Sequence, residues 1–261
     1  MYQHTLDHFA ALARKKADLL NSSPSAFIVG AMMAGAYVGI GIILIFTVGA
    51  GMEPAWQKLI MGLSFGIALT LVVFAGSELF TGHTMYMVLG WLQRLTTPLD
   101  LVRVWAASWA FNLVGSVGLA LIFVAGGGGS LLADGADLLN KVASYKMNSP
   151  WTALIARAAL CNWLVCLALW MAARTASDSA KAIVIFWCLF AFIASGFEHS
   201  VANMTLLSIA LLGNHPETVS IGGMAYNLLW VTLGNIIGGS LFMALGYWKA
   251  SGAQRPELVK S

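Results

Sequence analysis

The sequence predicts an all-α integral membrane protein with six transmembrane helices in two inverted three-helix repeats, with helices 2 and 5 broken. Of its 261 residues, 59% are hydrophobic and only 10% are charged, whereas soluble domains carry about 25% charged residues. Six apolar stretches are long enough to cross a bilayer, which takes roughly 20 residues. A polar motif in the second stretch recurs in the fifth. Together these three observations predict the fold class.

The six apolar stretches differ in length. Four have the length of one crossing, whereas the second and fifth are longer and carry polar residues near their middles. The stretches cover residues 27–50, 57–93, 101–126, 151–173, 180–212 and 220–248. We expect one membrane domain over 1–261, with the first repeat at 27–126 and the inverted second repeat at 151–250.

The basic residues predict that both chain ends face the cytoplasm, because connections rich in Lys and Arg stay on that side. Ten basic residues lie on the side that holds both termini, three lie on the other side, and Arg157 lies within the fourth stretch. The ten are Arg14, Lys15, Lys16, Arg94, Arg103, Arg174, Lys181, Lys249, Arg255 and Lys260, and the three are Lys58, Lys141 and Lys146. With a net charge of only +3, the chain is not expected to bind nucleic acid.

The N-terminal segment predicts an amphipathic helix over 4–20. Its apolar residues recur at helical spacing, while the charged residues fall on the other face. The apolar set is Leu6, Phe9, Ala10, Ala13, Ala17 and Leu20. We expect this helix to lie on the cytoplasmic membrane surface, with a frayed soluble helix as the alternative. A cleaved signal peptide is not expected, since the segment lacks its apolar core.

Two polar landmarks recur with nearly one offset. Glu78 in a Gly-x-Glu motif is followed 120 positions later by Glu198 in the same motif, and Asn112 is followed 123 positions later by Asn235. Each repeat unit holds three spans, so the second copy must be inserted upside down, as in many transporters and channels. The polar interruptions then predict broken helices that line a pathway, because irregular backbone at membrane depth needs a cavity or surrounding protein.

Each predicted break creates a helix N-terminus, one near Thr81 and one near His199. The free N–H groups of such ends carry partial positive charge and favour an anion. His199 is the leading candidate, since an ionisable residue within an apolar span is functional by default and histidine titrates near neutrality. A packed histidine that only supports the break is the alternative. For His83, a ligand role and a structural role stay equally open.

The remaining candidate residues are interpreted according to their side-chain chemistry. Glu78 and Glu198 are expected to accept hydrogen bonds from free N–H groups at the breaks, as buried carboxyls that can be protonated, with a functional role as the alternative. Asn112 and Asn235 are expected to join helices. Thr81 and Asn162 are candidate pore donors. Large apolar residues beside the breaks, namely Phe65, Leu69 and Phe192, could form a constriction or simply pack. The three cysteines, Cys161, Cys166 and Cys188, are expected to be structural, and we expect neither a cofactor nor a bound metal nor enzymatic activity.

At these residues the sequence resembles the formate/nitrite transporter family over nearly its whole length. The motifs that carry the resemblance are Ala34-Gly-Ala36, Gly76-x-Glu-Leu-Phe-Thr81, Asn162-Trp-Leu-Val-Cys166-Leu-Ala-x-Trp170-Met171, Gly196-Phe-Glu-His-Ser-x-Ala-Asn-Met204 and Gly234-Asn-Ile-Ile-Gly-Gly239. Thr81-Gly-His-Thr-Met85 is similar to the nitrite branch. His83 departs from the pattern of the formate branch, which has Thr-Ser-Thr after the Leu-Phe pair.

The resemblance implies an aquaporin-like protomer, a homopentamer with one pore per protomer, and a place in the bacterial inner membrane. The substrates it implies are small monovalent anions, nitrite first, with formate or a broader set of weak-acid anions as the alternative. It places the family's central histidine on His199, its threonine on Thr81, its pore asparagine on Asn162 and an approach lysine on Lys146. The apolar constrictions fall on Phe65, Leu69, Leu79 and Phe192.

Three other classes compete with an anion channel. A neutral-solute channel of the aquaporin type shares the six-span inverted plan, but its two Asn-Pro-Ala loops are absent from the sequence. A haem or quinone anchor needs paired histidines on facing helices, whereas His83 and His199 lie at the two interruptions. A structural scaffold gives no reason for a buried Glu and His at symmetric interruptions. Anion passage therefore remains the leading hypothesis.

Overall fold

The computed structural model describes residues 2–253 and contains only helices and connections over that range. Arg255 and Lys260, which enter the charge count above, lie outside the described residues. The helices are α1 (Gln3–Ser22), α2 (Pro24–Ala50), α3 (Pro54–Ser64), α4 (Gly66–Ala75), α5 (Phe80–Leu92), α6 (Pro98–Ala125), α7 (Ala136–Met147), α8 (Trp151–Ala172), α9 (Asp178–Ala194), α10 (Ser200–Leu212), α11 (Ile221–Ile237) and α12 (Gly246–Ala250). The all-helical prediction is confirmed.

Five helices of the described chain are long and apolar enough to cross a membrane. They cover Pro24–Ala50, Pro54–Ala75, Pro98–Ala125, Trp151–Ala172 and Ile221–Ala250. The predicted second stretch is divided into α3, α4 and α5, and the predicted fifth stretch is divided into α9 and α10. Neither α9 nor α10 is long enough to cross a membrane on its own. The two long stretches are therefore the two in which non-helical chain separates the helices.

Glycines allow two pairs of long helices to pack with their backbones in contact. A Cβ added to Gly35 of α2 would lie 2.1 Å from the backbone oxygen of Asn112 in α6, and one added to Gly115 of α6 would lie 1.9 Å from the backbone oxygen of Met32. Helix α8 packs on α11 in the same close manner. Such contact between small residues is typical of membrane helices.

Helix α1 packs on protein, and its position on the cytoplasmic membrane surface stays a prediction. Its predicted apolar face is buried, and the helix lies against α5, α2 and α6. Phe9 stacks on Tyr86 with ring centroids 4.9 Å apart and on Trp170 at 5.8 Å. The apolar face of α1 therefore contacts aromatic residues of α5 and α8.

Two further segments differ from the expected plan. The long connection at 126–150 is mostly ordered, with a 3₁₀ turn at Gly129–Leu132 followed by α7. A π-helical segment, Gly238–Leu245, interrupts the last long helix between α11 and α12. Such widened turns are rare and occur frequently at functional sites. Here the segment packs on α5 and α8 beside the interruption at Gly76 to Leu79.

Candidate functional site: a buried histidine between two vestibules

Each interruption begins with a glycine in a left-handed conformation. Gly76 follows α4 with φ 75°, and Gly196 lies two residues after the end of α9 with φ 70°. Only glycine adopts this region without strain, and it commonly ends helices in this way. The next helices begin at Phe80 and Ser200, so three or more residues of extended or irregular chain separate the helices at both places.

Asn112 of α6 holds the first interruption. Its Oδ1 accepts a hydrogen bond from the backbone N–H of Phe80 at 2.9 Å, which is one of the donors that the start of α5 leaves free. Its Nδ2 donates to the backbone carbonyls of Ala31 at 2.7 Å and Glu78 at 2.9 Å. One buried side chain thus pairs the interruption with both α2 and α5.

Asn235 of α11 makes the corresponding bonds at the second interruption. Its Oδ1 accepts from the backbone N–H of Ser200 at 2.9 Å, and its Nδ2 donates to the carbonyls of Ala158 at 2.9 Å and Glu198 at 3.0 Å. The predicted role of the two asparagines, joining helices, is therefore incomplete. They are also the acceptors for the free N–H groups.

The glutamates pair with side chains, which corrects the prediction that they accept from the free N–H groups. Glu78 lies 2.5 Å from Nζ of Lys16 and 2.9 Å from Nε2 of His83. Glu198 accepts from Nζ of Lys146 at 2.7 Å and from Nδ2 of Asn203 at 2.7 Å. A lysine Nζ thus lies within 2.7 Å of each carboxyl group, and each glutamate is bound to a lysine side chain.

Replacing Lys146 with Met should lower the stability of the protein by about 3–5 kcal/mol, the usual cost of removing one partner of a buried ion pair. The Glu198 side chain is only 2% exposed and would keep Asn203 as its sole partner. Thermal unfolding of the detergent-solubilised protein measures the effect. The double variant Lys146→Met/Glu198→Gln should regain most of the loss. Lys141→Met, an exposed lysine on the same helix, is the control, and equal stability of the Lys146 and Lys141 variants would contradict the assignment.

His199 lies at the start of α10 with 4% of its surface exposed. Its Nδ1 accepts a hydrogen bond from the backbone N–H of Ala202 at 3.2 Å, so the ring caps the helix. Its Nε2 lies 3.2 Å from Oγ1 of Thr81, and its ring stacks on Phe192 with centroids 6.0 Å apart. Since Nδ1 serves as an acceptor, the neutral ring carries its proton on Nε2 and directs it toward Thr81.

Two cavities open toward His199 from opposite ends. The α1-side vestibule, about 380 Å³, is lined by residues of α1, α4, α5 and α9, and the α7-side vestibule, about 590 Å³, by residues of α3, α7, α9 and α10. A central void of about 10 Å³ lies between them. Its wall includes His199 and the four predicted constriction residues, Phe65, Leu69, Leu79 and Phe192. The void shares Leu69 and Leu79 with the first vestibule and Phe192 and His199 with the second.

Basic side chains dominate both vestibules. The α7-side vestibule is lined by Lys58, Lys141, Lys146 and Arg157, with Glu198 as its one acidic residue. The α1-side vestibule is lined by Lys16 and Lys181 together with His8 and His83. Clefts of one charge sign concentrate the opposite ion. In the α7-side vestibule Lys58, Lys141 and Arg157 lie beside the Lys146–Glu198 pair. In the α1-side vestibule both lysines pair with carboxylates, Lys16 with Glu78 and Lys181 with Asp178.

Thr81 and Asn162 lie together behind the histidine. The Nδ2 of Asn162 lies 2.8 Å from Oγ1 of Thr84 and 2.6 Å from the backbone oxygen of Asn235. It also contacts the backbone oxygen of Thr81 at 3.2 Å. Asn162 lines neither vestibule nor the central void. Its position is that of a support for Thr81 and the π-helical segment, rather than that of the pore donor expected from the sequence.

Several residues of the site were not expected from the sequence. Lys16 and Asn203 pair with the glutamates, and Arg157 lines the α7-side vestibule. The sequence around Lys16 gives no sign of its partner Glu78, which lies 62 positions away. Within residues 2–253, no group of three or more His, Cys, Asp or Glu side chains is arranged to hold a metal ion.

Comparison with known proteins gives consistent results. The family described as "Formate/nitrite transporter" matches residues 3–249. The chain is 50% identical over 261 residues to the nitrite transporter NirC of Salmonella typhimurium, which covers 100% of this chain and 96% of that protein.

Solved structures agree with this match. A structure described as an FNT family ion channel superimposes with a TM-score of 0.92 at 51% identity, covering 95% of this chain and 99% of that one. A pentameric formate channel with formate bound superimposes with a TM-score of 0.77 at 29% identity, over 90% and 99% of the two chains. With the sequence match over nearly the full length, these findings show that the chain is a multi-pass membrane protein of the formate/nitrite transporter family.

Proposed function

We propose that this protein is a channel or transporter that passes nitrite and related small monovalent anions through the central void beside His199. The observation that carries the proposal is a buried, hydrogen-bonding histidine at the only narrow point between two basic vestibules within the described residues. The 50% identity with a nitrite transporter over the full chain supports nitrite as the substrate. The relative with formate bound makes formate the second candidate.

Passage is limited by desolvation at the apolar wall. An ion that leaves water for apolar surroundings loses far more free energy than a neutral molecule does. Phe65, Leu79 and Phe192 supply no hydrogen bond there, so the Nε2–H of His199 is the polar partner for the anion at this wall. The hydroxyl of Thr81 lies 3.2 Å from Nε2 but lines none of the three cavities. A weak acid that receives a proton at this wall crosses as its neutral form.

Protonation of His199 affects the hydrogen bond that caps α10. His199 becomes an acid only when Nδ1 takes up a second proton, and Nδ1 then no longer accepts from the N–H of Ala202. Protonation of the ring and capping of α10 therefore exclude each other. This link makes nitrite passage dependent on pH at His199.

We further propose that the protomer consists of two inverted repeats, with one broken helix in each, as in the aquaporin plan. The support is the matched set of contacts at the two interruptions, where Asn112 and Asn235 make equivalent bonds and Lys16 and Lys146 pair with equivalent glutamates. A single crossing would then combine Pro54–Ala75 with α5, and another would combine α9 with α10.

We also propose a homopentamer in the bacterial inner membrane with both termini in the cytoplasm. The related formate channel is pentameric, and the Lys and Arg distribution favours that orientation. Native mass spectrometry of the detergent-solubilised protein should give five copies. A stable monomer or trimer would contradict the proposed assembly.

The transported species is tested in proteoliposomes that contain the purified protein. Nitrite influx should exceed the influx through protein-free liposomes, with formate slower and glycerol indistinguishable from the protein-free control. Equal rates for glycerol and nitrite would favour a neutral-solute channel. Formate faster than nitrite would assign the protein to formate transport instead.

A further inference from the structure

His83 differs from His199 in the surroundings of its Nδ1 atom. Its side chain is 1% exposed and contributes to the wall of the α1-side vestibule. Its Nε2 lies 2.9 Å from Oε2 of Glu78, and its Nδ1 has no hydrogen-bond partner among the described residues. In His199 the same atom is occupied by the N–H of Ala202. His83 therefore has a free ring nitrogen for a proton and a carboxylate that stabilises the charged ring.

Protonation of His83 would change the net charge of its surroundings. Glu78 already pairs with Lys16, whose Nζ lies 2.5 Å from Oε1, so the three side chains carry no net charge while His83 is neutral. A proton on Nδ1 brings them to +1. The charge lies in the vestibule wall close to the central void, since Leu69 and Leu79 line both cavities.

The other groups around His83 come from five elements. Tyr86 of α5 and Phe27 of α2 lie against its ring, and the indole N–H of Trp105 in α6 donates to its backbone carbonyl. The remaining titratable groups of the vestibule are His8 of α1 and Lys181 of α9. Burial lowers the pKa of His8, and the nearby charges of His4 and Lys15 lower it further. Glu78 is the acidic partner that His83 contacts.

The two halves of the protein differ at this position. Asn203 follows Glu198 by five residues, as His83 follows Glu78, and its amide donates to Glu198 at 2.7 Å. An amide fills the same structural role without titrating. At this position the α1 end, and not the α7 end, has a histidine in place of an amide, and therefore a side chain that can bind a proton.

We propose that His83 is a proton-binding residue of the α1-side vestibule, and that its protonation raises the concentration of weak-acid anions at that entrance. The effect on flux rests on the proposed function, whereas the proton binding does not. The proton binds at the buried, unpartnered Nδ1, while the Nε2–H keeps its hydrogen bond to Glu78. Fields of this kind raise the local concentration of a counter-ion by about tenfold or more.

The flux test uses His83→Asn, because the opposite half shows that Asn can serve the glutamate. Nitrite uptake is measured in right-side-out and inverted bacterial membrane vesicles, with the pH changed on one face at a time. Uptake by the parent protein should rise about tenfold as the α1 face is acidified from pH 8 to 5, and His83→Asn should remove this response. His8→Asn, another histidine of the same vestibule, should keep it. A His83→Asn variant with the parent pH profile would overturn the proposal.

A second measurement is independent of transport and of the variant's folding. Nuclear magnetic resonance of the parent protein labelled with [¹⁵N]histidine follows Nδ1 of His83 from pH 8 to 5, with the signal assigned from Asn variants of the other four histidines. We expect Nδ1 to become protonated in this range and its signal to respond to added nitrite. A ring that stays neutral at pH 5 would overturn the proposal. A titrating ring in a protein that passes no nitrite would leave the proton site intact and reject the proposed function.

Discussion

Replacing His199 with Asn should lower nitrite flux about 10- to 100-fold and remove its response to pH on the α7 face. The ring offers Nε2–H at the narrowest point of the pathway, and a hydrogen bond to a charged group contributes about 1.5–3 kcal/mol. The helix should survive the change, since Asn is among the best N-cap residues and can accept from the N–H of Ala202. Uptake into oriented membrane vesicles measures both effects.

The outcome separates two roles of the histidine. If His199 served only as a helix cap, His199→Asn would keep the parent flux. An unchanged nitrite flux with an unchanged pH profile would show this. His215→Asn is the matched control, because His215 is exposed and lies shortly before α11. Within the described residues, its side chain hydrogen-bonds only with the carbonyl of the neighbouring Pro216. The response to pH on the α1 face should persist in His199→Asn, because that response is assigned to His83.

The sequence was sufficient to locate the site because the interruptions are local. Gly76 and Gly196 end helices through their own backbone conformation, and a His or Glu within an apolar stretch is conspicuous without any knowledge of contacts. The four constriction residues lie around the central void, where the family resemblance places them. These features depend on residues within a few positions of each other, or on motifs that the family shares.

The partners of the buried polar groups could not be inferred in the same way. Glu78 pairs with a lysine 62 positions earlier, and Glu198 pairs with one 52 positions earlier. Whether a carboxyl near an interruption accepts from backbone or from lysine depends on where α1 and α7 pack. The position of α1 depends on contacts of the same kind. An amphipathic helix has the same sequence pattern whether its apolar face meets lipid or the aromatic rings of Tyr86 and Trp170.

Removing an asparagine at an interruption should have a large effect on stability. Asn112→Ala leaves the N–H of Phe80 and the carbonyls of Ala31 and Glu78 without this partner in a buried position. The Ala31 carbonyl keeps its hydrogen bond within α2, so two buried groups are left unpaired at about 1–3 kcal/mol each, and we expect a loss of at least about 2 kcal/mol. Thermal unfolding and size-exclusion chromatography of the solubilised protein measure it. Asn148→Ala is the control, because Asn148 also donates to two carbonyls but is exposed.

Asn235→Ala should cost about as much as Asn112→Ala, and this comparison is the sharper test. If the two interruptions are equivalent parts of an inverted repeat, each asparagine supports one helix start and two carbonyls, and the two losses should agree within about 1 kcal/mol. Asn→Asp at either position keeps the acceptor for the helix N–H but places a buried carboxylate oxygen against two backbone carbonyls, so it should cost at least as much as Ala. A large loss at Asn112 with none at Asn235 would show that only one interruption depends on its asparagine. The equivalence on which the inverted-repeat proposal rests would then fail.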